Sequence, residues 1–211
     1  MDNNRNDLAK AEGFSLEALR KGDRAEFSRL VDAYSSNIYR LAMKMLGNQQ
    51  DAEDVLQETF LKAYRHLKNF DGRSRISTWL FRIATNEALM IIRRQRPNIF
   101  SIDEPVELED GEQEPVQIVD WCCLPERELM SKESRKNLDL AIERLPQNLK
   151  IVFLLRDIEN QSTQETADVL GLSETAVKTR LSRARMRLRE ELSVYFGEKI
   201  QKIGNTGLVE N

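Results

Sequence analysis

The sequence has 211 residues, of which 40% are hydrophobic and 32% charged, and its formal net charge is −3. This length allows one domain or two small ones, each with its own core, and the charge argues against a general binder of polyanions. The opening MDNNRNDLAK lacks the apolar core of a signal peptide, and no run approaches the roughly 18 apolar residues of a bilayer span. We therefore expect a cytoplasmic protein with no membrane insertion of its own.

The sequence contains two cysteines, Cys122 and Cys123, which are adjacent, so a disulfide between them is geometrically poor. His66 is the single histidine and cannot complete a Cys/His zinc set with them. These counts predict a reducing compartment, no metal site and no cofactor. Both an ordinary thiol pair and a redox-sensing pair stay open as interpretations.

Helical periodicity begins after a polar N-terminus, residues 1–13, which we expect to be disordered. Apolar residues recur at helical spacing from Phe27 to Leu46, and Gly47 predicts the end of that helix. A second helix is predicted over residues 51–67, with Asp51 as its N-cap. Its predicted inward-facing residues are Leu56, Phe60, Ala63, Tyr64 and Leu67.

Acidic and amide side chains line the first turns of the second helix. They are Asp51, Glu53, Asp54, Gln57 and Glu58. Asp54 and Glu58 share a face at i and i+4, as a metal site or carboxylate pair would need, but no histidine or glycine-rich phosphate loop lies nearby. A solvated face favoured by the helix dipole is the plainer alternative. We favour a surface that docks a partner.

A basic, aromatic segment follows, NFDGRSRISTWLFRIATNEALMIIRRQRP. Asp71 and Gly72 mark a loop, and Ser77 or Thr78 is predicted to cap a helix. The predicted buried stripe of that helix contains Leu80, Ile83, Ala84, Ala88 and Ile91. Arginines interleaved with Phe70, Trp79 and Phe81 fit a surface that tracks phosphates and stacks unpaired bases. Core packing of these aromatics is the open alternative.

Residues 98–128 differ in composition, since positions 101–121 carry eight acids and no base. With Pro105 and Pro115 and no helical stripe, this stretch predicts a flexible acidic linker. It could imitate a nucleic-acid backbone within a basic channel or serve only as a solubilising tether.

Helical spacing returns over residues 129–196 with Leu138, Ala141, Ile142 and Leu145, and Pro146 opens the next helix. The whole chain is therefore predicted to be all-α. It should form two small helical domains, residues 14–97 and 129–196, joined by the linker, and the second domain should contain four helices. Residues 197–211 are expected to be a flexible tail.

A helix-turn-helix is predicted from Ser162 to Leu192. Ser162 with Glu165 forms a capping box, Gly171 makes the turn, and Ser173 caps the second helix. In that helix Val177, Leu181, Ala184 and Leu188 fall within one arc, which is predicted to pack inward.

The opposite arc carries short polar and basic side chains suited to a major groove, although a solvated amphipathic helix is the plainer alternative. No acid interrupts the basic residues from Lys178 to Arg189. The candidate DNA contacts are Thr175, Lys178, Thr179, Arg180, Ser182, Arg183 and Arg185.

Three segments in series resemble the extracytoplasmic-function (ECF) sigma factors, group IV of the bacterial primary-type sigma family. They are DAEDVLQETFLKAY, FDGRSRISTWLFRIATNEA, and the run from Ala141 to Arg189. The resemblance implies a specificity subunit of RNA polymerase rather than an enzyme, which reads the −35 element as duplex and the −10 element as melted strand. A free-standing helix-turn-helix regulator is the alternative.

The resemblance also implies partners and sites. The first domain would dock on the clamp helices of the largest polymerase subunit, the polymerase flap region would be a further contact, and an anti-sigma factor would bind the free protein. Residues 71–77 would form the flipped-base pocket, with Asn86 as a base contact. The candidate −10 residues are Asp71, Gly72, Arg73, Ser74, Arg75, Ser77, Thr78, Trp79, Arg82 and Asn86.

Overall fold

The computed structural model describes residues 12–95 and 132–206, and these residues form eight α-helices and no strand. The first four are α1 (Leu16–Arg20), α2 (Arg24–Leu46), α3 (Gln49–His66) and α4 (Ile76–Gln95). The second four are α5 (Lys132–Arg144), α6 (Gln147–Phe153), α7 (Thr163–Leu170) and α8 (Glu174–Thr206). The all-α prediction is confirmed. The acidic linker and both cysteines lie outside the described residues.

Local capping explains where the long N-terminal helices begin and end. Asp23 accepts a hydrogen bond from the Glu26 amide at the start of α2, and Gly47 ends that helix in the left-handed region with φ 67°. The prediction that Asp51 caps α3 was wrong. Asn48, in extended conformation, accepts from the Asp51 amide at 3.0 Å, so the helix begins earlier.

Helices α2, α3 and α4 pack on one another around an apolar core. Its fully buried large side chains include Leu30, Ile38, Leu41, Val55, Leu67, Ile76 and Leu80. On α3 the buried stripe is rotated from the predicted one. Val55 is buried, whereas Tyr64 is 47% exposed and packs edge-on against Phe27.

The C-terminal helices include one irregular turn. After α6, residues Leu154–Ile158 form a π-helical turn in which the Glu159 amide donates to the Leu154 carbonyl at 2.9 Å. Leu154 and Leu155 are both fully buried there. The last helix continues past Gly197 to Thr206, where we had expected irregular chain. Glu198, Lys199, Gln201 and Lys202 are good helix formers, so local propensity accounts for part of this extension.

The described residues divide into two compact units. One contains those of Met1–Ile99 together with Pro146–Ala184, and the other contains those of Phe100–Leu145 and Arg185–Asn211. In the second unit Arg144 donates to Glu191 at 2.8 Å, and Ile142 and Leu188 are buried. Across residues 12–95 and 132–206, no helix is both long and apolar enough to cross a membrane.

Candidate nucleic-acid and protein interfaces

The predicted helix-turn-helix is formed by α7 and α8. The Ser162 hydroxyl accepts from the Glu165 amide at 3.1 Å, and the Glu165 carboxylate accepts from the Ser162 amide at 2.7 Å. Gly171 adopts φ 67° at the turn, and Ser173 accepts from the Ala176 amide at 3.1 Å. Both predicted caps are therefore confirmed, and they fix the angle at which α8 leaves the turn.

The start of α8 has one buried and one exposed face. Val177, Leu181, Ala184 and Leu188 are buried as predicted. Thr175, Lys178 and Ser182 are exposed on the other face, and Thr179, Arg183 and Arg185 are half-buried. Arg180 is only 5% exposed, contrary to its predicted outward position. It lies three residues after Val177 and four before Ala184, which puts it on the inward face.

Glu165 carries an electrostatic role besides its capping role. Partial burial acts to raise its pKa, but hydrogen bonds from the Ser162 amide and hydroxyl and the charge of Arg75 together hold that pKa below its ordinary value. Arg75 Nε lies 3.3 Å from the Glu165 carboxylate. The carboxylate that caps α7 is thus also an ion-pair partner of the predicted −10 loop.

The loop Asp71–Arg75 is a tight turn before α4. Gly72 has φ 73°, and the Asp71 carboxylate accepts from the Arg73 amide at 3.1 Å and also contacts the Arg73 guanidinium. The prediction that Ser77 or Thr78 caps α4 was wrong because the helix begins at Ile76. The two amides at its start donate instead to the Glu12 carboxylate, at 2.8 Å from Ile76 and 3.2 Å from Ser77.

The predicted −10 residues divide by exposure. Arg73, Arg75, Arg82 and Asn86 are exposed, and Asp71, Ser74 and Trp79 are half-buried. Ser77 and Thr78 are 8% and 2% exposed, so their side chains are not available to a strand in this arrangement. Thr78 instead donates to the Gln161 side chain at 3.1 Å, since α4 packs against α7.

The aromatic residues of this segment have different environments. Phe70 and Phe81 are buried and belong to the core, as the alternative interpretation held. The Trp79 ring is half-buried and lies 4.8 Å from the Phe70 ring, tilted by 32°. Trp79, Arg82 and Asn86 recur at i, i+3 and i+7, so they follow one face of α4.

The acidic surface on α3 is largely accessible. Asp54, Gln57 and Glu58 are exposed, whereas Asp51 and Glu53 are half-buried. Asp51 accepts from the Gln95 side chain at 2.9 Å, and Glu53 accepts from Gln49 at 2.8 Å. Asp54 and Glu58 are therefore the two carboxylates on this face that are most accessible to a partner.

Sequence reasoning missed two polar clusters. One is Glu159, whose buried carboxylate accepts hydrogen bonds from Asn37 and Arg40. The other is the N-terminal segment from Glu12 to Arg20, which contacts both ends of the Asp71–Arg75 loop. Neither has a local signal, because each pairs residues at least 50 positions apart.

Two family profiles match this chain. Residues 30–97 match Sigma-70 region 2, and residues 135–188 match Sigma-70, region 4. The two matches follow the order of the predicted −10 and −35 segments. Residues 12–29, which include α1, precede the first match.

Whole-length relatives are similar over most of their own sequence. The chain is 37% identical to the ECF RNA polymerase sigma factor SigW of Bacillus subtilis (strain 168), covering 84% of this chain and 94% of that protein. It is 33% identical to the RNA polymerase sigma-H factor of Pseudomonas aeruginosa, covering 87% and 94%. It is also 33% identical to the ECF RNA polymerase sigma-E factor of Escherichia coli (strain K12), covering 81% and 88%.

Solved structures share the fold. CnrH, in complex with the cytosolic domain of CnrY, superposes with a TM-score of 0.60 at 24% identity, covering 85% of this chain and 95% of that one. The sigma factor RpoE of Bartonella quintana, in complex with the anti-sigma factor NepR, gives a TM-score of 0.58 at 24% identity, covering 80% and 97%.

Proposed function

This chain belongs to the ECF RNA polymerase sigma factors, and we infer from that membership that it binds core RNA polymerase and directs promoter-specific initiation of transcription. Sigma factors are initiation factors rather than enzymes, so no catalytic residue is assigned. A cytoplasmic location follows from this function, since the polymerase works there.

We propose that α8 reads the −35 element as closed duplex. The observation that carries this assignment is the exposed face of Thr175, Lys178 and Ser182 over a fully buried apolar stripe at the end of a capped turn. Short polar side chains at the start of a recognition helix can approach base edges in the major groove. Arg183 and Arg185 supply charge at its flank, whereas the side chain of Arg180 is buried.

We propose that α4 and the Asp71–Arg75 loop capture the unpaired −10 strand. Arg82 and Asn86 are exposed one turn apart on α4, with Trp79 one turn before them. A guanidinium attracts phosphate and an amide can hydrogen-bond a base that has left the stack. Arg75 is held by Glu165 in this arrangement, but its side chain is 55% exposed, so releasing it costs about 1 kcal/mol or less.

We propose that the acidic face of α3 docks on the largest-subunit clamp helices of the polymerase. Asp54, Gln57 and Glu58 are exposed, and the two carboxylates lie one turn apart. Charged rims of this kind steer association and set specificity. The polymerase flap region is a further proposed contact, for the second domain.

An anti-sigma factor is the proposed partner of the free protein. Two solved structures of this fold are complexes, one with the cytosolic domain of CnrY and the other with the anti-sigma factor NepR. A pull-down from uninduced native cells should return such a protein. Recovery of polymerase alone would contradict this part of the proposal.

Run-off transcription with purified core polymerase tests the function directly. Adding this protein should produce transcripts that begin at discrete sites on cognate DNA, and omitting either component should abolish them. Duplex operator binding without polymerase, and no discrete initiation with it, would instead indicate a free-standing regulator.

A further inference from the structure

The N-terminal segment Glu12–Arg20 contacts the start of the Asp71–Arg75 loop through Arg20. The guanidinium of Arg20 donates two hydrogen bonds to the Phe70 carbonyl, at 2.9 Å from Nε and 2.6 Å from Nη2. A guanidinium that holds one oxygen with two donors fixes its direction as well as its distance. The backbone is therefore anchored immediately before Asp71.

The same segment contacts the end of the loop through Glu12. Its carboxylate accepts from the Ile76 amide at 2.8 Å and the Ser77 amide at 3.2 Å. These are unsatisfied N–H groups at the N-terminus of α4, where negative charge is favoured by the helix dipole. Glu12 thus performs, from 64 residues away, the capping role that a local side chain usually has.

Packing holds this segment in position. Phe14, Leu16 and Leu19 are 7%, 3% and 1% exposed. The Tyr34 hydroxyl donates to Glu12 at 3.1 Å, and burial, then the Glu12 charge, raises the Tyr34 pKa. The neutral phenol is therefore maintained as a hydrogen-bond donor to the carboxylate.

We propose that Glu12 and Arg20 are positioning residues that hold the Asp71–Arg75 loop in the conformation that selects the unpaired −10 base. This inference rests on the proposed function of that loop. Five residues between two anchored ends have few conformations, and binding sites discriminate best when their backbone is held in place before the ligand arrives. We call Glu12 and Arg20 together the brace. Both residues lie outside the region 2 match, which begins at residue 30.

Loosening the brace should reduce selection among −10 sequences more than it reduces binding in general. A mismatch in a recognised site costs roughly 1–3 kcal/mol, which corresponds to about 5- to 150-fold discrimination. A mobile loop loses part of this discrimination because it adapts to the wrong base. Duplex binding at −35 should not change, since α8 is untouched.

The test uses holoenzyme reconstituted from core polymerase and full-length Arg20→Ala, Arg20→Lys or Glu12→Gln protein. Open complexes are selected from a promoter library with randomised −10 positions, and the recovered bases are counted. Arg20→Ala and Glu12→Gln should lower the preference for the best base at the captured position by roughly fivefold, which equals the lower end of the discrimination expected there. Arg20→Lys should restore part of it, because an ammonium can still donate to the Phe70 carbonyl.

Lys21→Ala is the matched control, since Lys21 is adjacent and its side chain is 73% exposed. Unchanged base preference in both Arg20→Ala and Glu12→Gln would overturn the proposal, as would an equal loss of open complex for every −10 sequence. If Arg20→Ala does not fold, Glu12→Gln decides, because it keeps the side-chain size. Failure of wild-type holoenzyme to form any open complex would instead overturn the proposed function.

Discussion

The carboxylate of Glu159 is fully buried and accepts hydrogen bonds from the guanidinium of Arg40, 119 residues earlier in the chain. Asn37 donates to its other oxygen at 2.7 Å. A buried carboxylate is tolerated only when such donors compensate for its lost hydration. This pair therefore links α2 to the segment that precedes the helix-turn-helix.

Removing Arg40 should destabilise the protein. We expect Arg40→Ala to lower the free energy of unfolding by about 1.5–3 kcal/mol, the range for hydrogen bonds to a charged group. The value should lie toward the lower end because Arg40 is 46% exposed. Urea unfolding measures the change. Lys21→Ala, which breaks an exposed ion pair with Glu17, should leave the stability close to that of wild type because solvent screens this pair.

A second substitution shows how much of the destabilisation by Arg40→Ala comes from the buried charge of Glu159 and how much from lost packing. Adding Glu159→Gln to Arg40→Ala removes the uncompensated charge, so the double variant should be more stable than Arg40→Ala alone. A double variant that is less stable than Arg40→Ala would show that the ion pair is not what stabilises this contact.

If the acidic face of α3 docks on polymerase, reversing its charge should impair polymerase binding without impairing folding. Reversing charge at both exposed positions, Asp54→Lys with Glu58→Lys, should abolish co-purification with core polymerase. Stability should change by about 0.5 kcal/mol or less, as is usual for surface sites. Asp32→Lys is the control, since it reverses an exposed acid on α2, outside the surfaces proposed to contact polymerase. Undiminished co-purification of the α3 variant would exclude this docking surface.

The two DNA surfaces should separate in a pair of assays. Asn86→Ala should leave binding to duplex −35 DNA unchanged and reduce strand opening, because an amide on α4 meets only a base that has left the stack. Permanganate reactivity of unpaired thymines measures opening, and a gel shift on duplex DNA measures −35 binding. Reduced duplex binding with unchanged strand opening would contradict the proposed role of Asn86 in capturing the unpaired strand.

Arg183→Ala should show the opposite pattern. Affinity for −35 duplex should fall by about 1–3 kcal/mol if Arg183 contacts a base in bidentate fashion, whereas loss of a phosphate contact should make the salt dependence shallower. Strand opening should persist on promoters with a strong −10 element. Equal losses in both assays would instead indicate a folding defect in α8.

The lowered pKa of Glu165 predicts acid sensitivity of the helix-turn-helix. Its carboxylate stabilises the folded state fully above the ordinary value of 4.5, and this contribution is lost as pH falls through the lower folded-state pKa. Glu165→Gln should therefore be less stable than wild type at pH 7, and the difference should narrow below pH 4.5. Asp168→Asn, an exposed carboxylate on the same helix, is the control. Unfolding at a series of pH values tests this, and a constant difference would contradict it.

Local signals predicted most of the helices and the caps and turn of the helix-turn-helix. Gly47, Gly171, Ser162 and Ser173 each act through neighbours within five residues, so their roles follow from sequence spacing alone. The contacts of Glu12, Arg20 and Glu159 could not be predicted in this way. They are charged residues that resemble a solvated surface in the sequence, and only tertiary packing brings their distant partners within hydrogen-bond distance.

Burial of polar residues was the other source of error. Arg180 and Thr78 belong to segments whose composition favours nucleic-acid binding, yet both side chains face inward. Periodicity predicts the centre of the buried face of a helix but not how far that face extends. Whether a side chain at its edge is buried depends on the helix that packs against it.

The π-helical turn Leu154–Ile158 fits one more residue between the Leu154 carbonyl and the Glu159 amide than an α-helical turn would. If one residue of this turn were deleted, the same carbonyl and amide could bond at ordinary α-helical spacing, and Glu159 would stay near the donors of Asn37 and Arg40. Inserting a residue would instead rotate the following chain by about 100° and bury the charge of Glu159 without those donors. This stretch should therefore tolerate a one-residue deletion better than a one-residue insertion.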